Sequence, residues 1–379
     1  MKGNTSSSKT LKPLPTDTWP FDFPHPFIIS GPCSAESEEQ VVQTAIELAK
    51  SGRVHLLRAG IWKPRTRPNS FEGIGEPALE WLMNAKEESG LPVCTEVANA
   101  FHVEKCLEAG VDVLWIGART TVNPFSVQEI ADSLRGVDIP VMVKNPINPD
   151  LQLWIGALER LQLSGINKLA AIHRGFSSYS EKKYRNQPMW EIPIALMTQH
   201  PNLPVICDPS HIAGKRELLF EVAQRAMDMG MHGLMIESHP NPDKALSDRA
   251  QQVKPPALIE LLDQICIRNG DELPEAGLGE LQLLREHIDH IDHEILRLFG
   301  QRMEAAKQIG EFKKENNMMV LQLSRWKEIV QSRTTWAQDF ELSDNFMEKY
   351  LEQLHKESIR VQTRVMNDHA ENSTDEVLW

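Results

Sequence analysis

Four side chains able to hold a divalent cation stand at or just beyond the ends of three apolar runs. Cys33 lies in FIISGPCS, His211 ends LPVICDPSH, Glu237 lies in GLMIESH, and Asp248 follows in ALSDRA. One thiolate, one imidazole and two carboxylates form a set of mixed softness, suited to one divalent transition metal (Mn, Fe, Co or Zn). Taken singly, a strand cysteine is ordinarily core, and a carboxylate at a strand end ordinarily caps a helix. Their joint placement is what points to an ion. A second set is cationic: Arg58 and Lys63, then Arg119, Lys144 and Arg174, each follow a further apolar run. Arginine offers carboxylate and phosphate a planar fork, and lysine a compact point charge. Singly these are solvated surface groups; five at one mouth, facing a metal, suit a multiply anionic substrate.

The elements that must position these groups are eight runs between Phe27 and Ser238. They begin at Phe27, Val54, Leu91, Val111, Ile139, Lys168, Leu203 and Gly233, and are nearly unbroken in Val, Ile and Leu. Such runs suit parallel strands covered on both faces. Amphipathic stretches separate them, such as EEQVVQTAIELAKSG, with Gly52 as a glycine cap. Eight strands alternating with helices over roughly 240 residues have the rhythm of a TIM (β/α)8 barrel. In that fold strands seven, eight and one are neighbours, and groups at their C-terminal ends share one mouth. The alternative is a doubly wound open sheet, although no GxGxxG or Walker loop follows any strand.

The pattern changes beyond Leu262. A polar connector, 269–279, leads to Leu281, Leu284, Ile288, Ile291, Ile295 and Leu298, apolar at three- and four-residue steps and continuing to Ile309 and Phe312. This spacing predicts one long amphipathic helix. Shorter helices follow over 324–336 and 343–366. The expected organisation is an N-terminal extension (1–26), a barrel (27–265), a linker (266–279), a helical domain (280–366) and a tail (367–379). So long a first helix is expected to pair with a second copy, giving a homodimer or tetramer. A surface coiled-coil arm is the alternative.

A net charge of −13 argues against nucleic acid or an anionic membrane as partner. Five cysteines without tight spacing do not form a disulfide framework. No apolar run reaches membrane-span length, and the polar, arginine-free start resembles no targeting signal, so a cytoplasmic location is expected.

GPCSAES, LLRAGIWKPRT, IGART, KNP, HRG, DPSH, IESHP and ALSDRA resemble, in this order, the type I DAHP synthases. That resemblance spans essentially the whole barrel. It implies condensation of phosphoenolpyruvate with erythrose 4-phosphate, with Cys33, His211, Glu237 and Asp248 as metal ligands. It implies that Arg58, Lys63, Arg119, Lys144 and Arg174 hold phosphoenolpyruvate, Lys63 being catalytic, and that Arg65 and Thr66 meet the sugar phosphate. The related octulosonate synthases carry an Asn-containing loop where this chain has Lys63-Pro64-Arg65-Thr66. Erythrose 4-phosphate is the sugar this favours. A metal-dependent aldolase or isomerase is the alternative reading of the barrel.

On the long helix, Arg302 falls where the apolar stripe calls for a hydrophobic residue, which is costly unless it meets an anion. Lys313 lies 11 residues on, nearly the same face, and Arg285 is turned roughly 100° away. Arg285 therefore suits the site of a partner subunit. Solvated charges with snorkelling stems are the alternative. LLREHIDHIDHEILRLFGQRMEAAKQIGEFK resembles the first helix of all-helical (AroQ-class) chorismate mutases, and the likeness runs over roughly 279–365. It implies rearrangement of chorismate to prephenate, with Arg302, Lys313 and Gln362 catalytic and Arg285, Arg325 and Ser358 binding substrate. Gln322 and Trp326 replace carboxylates common in bacterial relatives, which bears on mutase efficiency. With only about 26 residues before the first strand, the helical domain is the one sizeable candidate for allosteric feedback by prephenate. A monofunctional synthase with a purely regulatory or dimerising helical module is the alternative.

Overall fold

The structure is a computed structural model, described over residues 11–63, 71–179, 183–268 and 275–367. Two compact units divide the chain, residues 1–270 and 271–379. In the first, eight parallel strands close in sequence order into a barrel. They are β1 (Phe27–Gly31), β2 (Leu56–Arg58), β3 (Val93–Val97), β4 (Val113–Ile116), β5 (Val141–Lys144), β6 (Leu169–His173), β7 (Val205–Cys207) and β8 (Gly233–Glu237). Each lies within one of the eight apolar runs. Closure is made by β1 against β8, with Phe27 opposite Gly233 and Gly31 opposite Glu237.

Helices α1 (Glu38–Ala49), α2 (Pro77–Ser89), α3 (Ala100–Ala109), α4 (Ala118–Thr121), α5 (Pro124–Ser133), α6 (Leu151–Leu163), α7 (Glu191–Gln199), α8 (Pro209–Ala213), α9 (Leu219–Asp228) and α10 (Pro255–Gln264) complete this unit. The strands are apolar throughout because both faces are covered. Phe27, Ile29, Val113, Trp115, Ile172 and Met235 fill the interior, while Ile28, Leu57, Leu114 and Ile236 meet the helices. Helix α1 stops at Ala49 with Lys50 as its C-cap, and Gly52 takes φ +64° in the turn beyond instead of capping the helix.

The expected N-terminal extension is partly structural. Trp19 is buried with the barrel-interior residues, edge-on to Phe21 and Phe23, and Phe23 stacks on Phe27 at 4.0 Å. Because Phe27 opens β1, this aromatic group shuts the N-terminal end of the barrel. Leu11 is buried in the outer layer, and Leu14 N donates to Asn167 O at 2.8 Å. The interior layers need a lid at the end opposite the mouth, and a polar-looking segment supplies it.

The second unit consists of α11 (Glu275–Glu315), α12 (Leu323–Gln338) and α13 (Asp344–Met366). Helix α11 starts inside the expected connector, at Glu275. Its 41 residues span about 60 Å. Ser343 caps α13 by accepting from Phe346 N. The buried apolar core of this unit is small: Ala337, Met347 and Leu351, flanked by Trp326, Ile329 and Tyr350. Ile288, Ile291, Ile295 and Leu298 on α11 remain 41–56% exposed. No helix among the described residues is long and apolar enough to cross a membrane.

Trp19→Ala should lower the unfolding free energy of the barrel by roughly 3–5 kcal/mol, the usual range for truncating a buried aromatic. Urea unfolding followed by far-UV circular dichroism reads this directly; a loss below about 1 kcal/mol would mean that the segment merely lies on the surface.

Candidate functional site

Three of the four expected ligands converge at the C-terminal mouth. A ligand atom from each of Cys33, Glu237 and Asp248 lies within 4.8 Å of the other two. Cys33 follows β1, and its Sγ lies 3.3 Å from Asp248 Oδ2. Glu237 ends β8 and is wholly buried. His211 stands outside this trio, its Nε2 3.8 Å from Glu237 Oε1. Helix α8, which carries His211, is capped by Asp208, whose Oδ1 accepts from His211 N at 3.0 Å while Oδ2 lies 2.8 Å from His211 Nδ1. That contact aims Nε2 at the trio.

The cations lie against the acids. Lys63 Nζ donates to Cys33 O at 2.8 Å and to Cys33 Sγ at 3.1 Å. Gly60 permits this approach, since a Cβ there would sit 2.5 Å from Cys33 O and 2.9 Å from Lys63 Cδ. Arg58 Nη2 lies 3.2 Å from Glu237 Oε1, and its guanidinium rests 5.0 Å over the Trp115 ring. Lys144 Nζ lies above the same ring at 5.8 Å and pairs with Asp208 Oδ2 at 2.8 Å. Arg174 Nη1 donates to Asn186 Oδ1 at 2.7 Å. Arg119, on α4, is exposed. Arg65 and Thr66 lie outside the described residues.

These neighbours set the charges. Burial works against ionised Asp208, yet His211 and Lys144 hold it well below the ordinary carboxylate range. Burial likewise opposes ionised Glu237, but His211 and Arg58 lower it on balance. The same opposition at Asp248 is outweighed by His211, Arg185 and Lys63. Although burial disfavours its charge, Lys63 is raised by Cys33 and Glu237. Burial, reinforced by Arg185 and Arg119, brings Arg174 down to about 10 against the pull of Asp208. Burial and then Glu237 push the Cys33 thiol up to about 12, so a thiolate there needs a cation beside it. Glu237 Oε1 and both Nε and Nη1 of Arg58 are buried without a hydrogen-bond partner. Buried polar atoms without a hydrogen bond fit a bound metal on one side and an anionic ligand on the other.

Sequence reasoning missed Asp208, Trp115, Arg185 and Gln251. Asp208 was legible as the residue before Pro-Ser-His, a helix cap. Trp115 reads as one more apolar strand residue, and nothing in the local sequence marks Arg185 or Gln251.

In the helical unit, Arg302 Nη1 donates to Ser358 Oγ at 2.5 Å, and Lys313 Nζ to Gln362 Oε1 at 3.0 Å and Val320 O at 2.6 Å. Lys313, Ser358 and Gln362 are buried. A cavity of about 440 Å³ opens beside Lys313, lined by Ala305, Gln308, Ile309, Phe312, Met318 and Gln322. Burial lowers both Arg302 and Lys313, as expected of cations that await an anion. Arg325 does not join them; it is half-exposed and pairs with Glu328 at 2.6 Å one turn along its own helix. Arg285 is exposed and lies about 26 Å up α11 from Arg302. Trp326 stacks on His355 at 4.0 Å, and His355 is lowered by burial and then by Arg302 and Lys313. His355 is a further residue that the sequence did not signal.

A closed eight-stranded barrel whose mouth gathers a thiol, carboxylates and buried cations defines a (β/α)8 enzyme for a multiply charged anion. The chain belongs to the DAHP synthetase I family, whose family model matches residues 24–268, and residues 284–363 match chorismate mutase type II. It is 34% identical over 238 residues to the phospho-2-dehydro-3-deoxyheptonate aldolase of Thermotoga maritima, covering 63% of this chain and 68% of that protein. A 2-dehydro-3-deoxyphosphooctonate aldolase of Thioalkalivibrio sulfidiphilus is 29% identical over 273 residues, covering 66% and 92%. The crystal structure of the Thermotoga maritima DAHP synthase aligns with a TM-score of 0.57 at 34% identity, covering 63% of this chain and 67% of that one. A truncated form of DAHP synthase from the same organism gives 0.55 at 31% identity, covering 63% and 84%. The chain is thus a bifunctional shikimate-pathway enzyme, a DAHP synthase domain joined to a chorismate mutase domain.

Asp208→Ala should destabilise the barrel by about 3–5 kcal/mol, because it leaves Lys144 buried without its counter-charge. Equilibrium unfolding at pH 7.5 measures this, and near wild-type stability would show that Lys144 finds another partner.

Proposed function

We propose that the barrel condenses phosphoenolpyruvate with erythrose 4-phosphate to DAHP and inorganic phosphate, using one divalent transition metal (Mn, Fe, Co or Zn). The observation that carries this reading is the Cys33, Glu237 and Asp248 trio with Lys63 and Arg58 in direct contact. His211 is the fourth ligand in this reading, its Nε2 facing Glu237. When bound, the cation supplies Lewis acidity toward an aldehyde oxygen.

Two anions must be held together for the reaction. Arg58, Lys63, Lys144, Arg174 and Arg119 bind the carboxylate and phosphate of phosphoenolpyruvate and offset its repulsion from the sugar phosphate, which Arg65 and Thr66 hold. C3 of phosphoenolpyruvate then forms a bond to the aldehyde carbon, water adds at C2, and phosphate leaves by C–O cleavage. Positioning of this kind contributes several kcal/mol, on the order of that seen in well-oriented intramolecular reactions. The higher identity to the heptonate enzyme than to the octonate one supports erythrose 4-phosphate.

The helical unit, in the same reading, rearranges chorismate to prephenate. Arg302 binds a carboxylate, and Lys313 with Gln362 donates to the ether oxygen as charge develops there. The exposed stripe Ile288, Ile291, Ile295 and Leu298 supports pairing with a second copy, whose pocket Arg285 would complete. Arg325 would have to leave Glu328 to reach substrate. Prephenate at this unit is read as a feedback inhibitor of the barrel.

Purified protein should consume phosphoenolpyruvate with erythrose 4-phosphate, lose that activity to a chelator and regain it with Mn²⁺; undiminished activity in metal-free protein would refute the metal. Arg302→Ala should abolish chorismate turnover while leaving the synthase unchanged, and equal turnover would refute the mutase site. Prephenate should inhibit the synthase in the intact chain and fail to do so after truncation at Asn269. Failure to inhibit the intact chain would dismiss the feedback.

A further inference from the structure

We infer that Arg185 and Gln251 form a relay that sets how both carboxylates of the barrel site face a metal ion, an inference that rests on the metal reading above. Neither residue is one of the proposed ligands. Gln251 is 1% exposed and lies between the two acids. Its Oε1 accepts from Arg185 Nη1 at 2.6 Å, and its Nε2 donates to Glu237 Oε2 at 2.7 Å. The same Nη1 donates to Asp248 Oδ1 at 3.0 Å. One guanidinium therefore holds Asp248 directly and Glu237 through an amide.

The amide has only one workable orientation. A flipped Gln251 would turn its NH₂ toward the guanidinium and its oxygen toward the carboxylate, matching donor with donor and acceptor with acceptor. Arg185 thus fixes the direction of the relay. Each carboxylate has one oxygen engaged by it, Glu237 Oε2 and Asp248 Oδ1. The other oxygens face the site: Asp248 Oδ2 lies 3.3 Å from Cys33 Sγ, and Glu237 Oε1 lies 3.2 Å from Arg58 Nη2 and 3.8 Å from His211 Nε2. The acids are thereby presented through one oxygen each, on the side of Cys33 and His211.

The surroundings hold the relay in place. Arg185 N donates to Ile212 O at 3.0 Å, beside His211. Gly214, at φ +71°, lets it approach, since a Cβ there would sit 2.4 Å from Arg185 Cβ. Asp248 takes φ +47°, a conformation uncommon for residues other than glycine, and Gln251 N closes its turn by donating to Asp248 O at 3.2 Å. Gln252 braces the opposite side: its Oε1 accepts from Cys33 N at 3.0 Å, and its Nε2 donates to Ser247 O at 2.8 Å.

The test is titration of the full-length chain with Mn²⁺ alone, free ion being followed by electron paramagnetic resonance, with a thermal melt as the check of folding. Arg185→Gln and the near-isosteric Gln251→Met should each raise the Mn²⁺ dissociation constant roughly 10–100-fold, the range for groups that orient metal ligands. Because Arg185 is partly exposed, its variant reads the relay even where Gln251→Met fails to fold. Wild-type binding with both folded variants within about twofold of it would overturn the relay and leave the metal site standing. Wild-type protein that binds no Mn²⁺ would remove the metal site and the relay together.

Discussion

Charge compensation inside a closed barrel is the constraint on which the rest of this structure depends. Asp208 and Glu237 are completely buried, and Asp248 is partly buried. No carboxylate stays ionised in such a place without a partner. The partners are Lys144 for Asp208, Arg58 for Glu237 and Arg185 for Asp248. Each cation in turn is held by the acid that it balances. Trp115 serves two of them at once, its ring beneath Arg58 and Lys144 and its Nε1 donating to Glu96 at 3.0 Å. The same contacts therefore keep the buried acids ionised and hold the cations against them.

The helical unit meets the same requirement with fewer groups. Arg302 and Lys313 interrupt an apolar stripe, and each is paired with a neutral acceptor, Ser358 and Gln362 respectively. A neutral partner satisfies a hydrogen bond but leaves the charge uncompensated, which suits a site whose ligand brings its own negative charge. The barrel instead carries its counter-charges permanently, which suits a site that also handles a cation.

What the sequence made legible follows the physical range of each signal. The eight apolar runs coincide with the eight strands because covering both faces leaves an unbroken apolar pattern. Cys33, Glu237 and Asp248 could be brought together on paper because barrel topology turns strand order into proximity. Gln251 and Arg185 were invisible for the complementary reason: an amide in a loop acquires meaning only through what it faces, and its partner lies 66 positions away. Trp326 was read as a lost carboxylate, and only the fold supplied its ring partner, His355. The packing of the N-terminal extension was not legible because Trp19 stands among Pro, Asp and Thr, where no periodicity marks a buried side chain.

That last feature bears on where the barrel physically begins. Similarity to the synthase family starts at residue 24, whereas the packed interior starts no later than Trp19. Excising the catalytic module at the similarity limit would uncap its lowest ring of side chains and present apolar surface, Phe27 included, to water. Such a fragment would be prone to self-association for reasons unrelated to its chemistry.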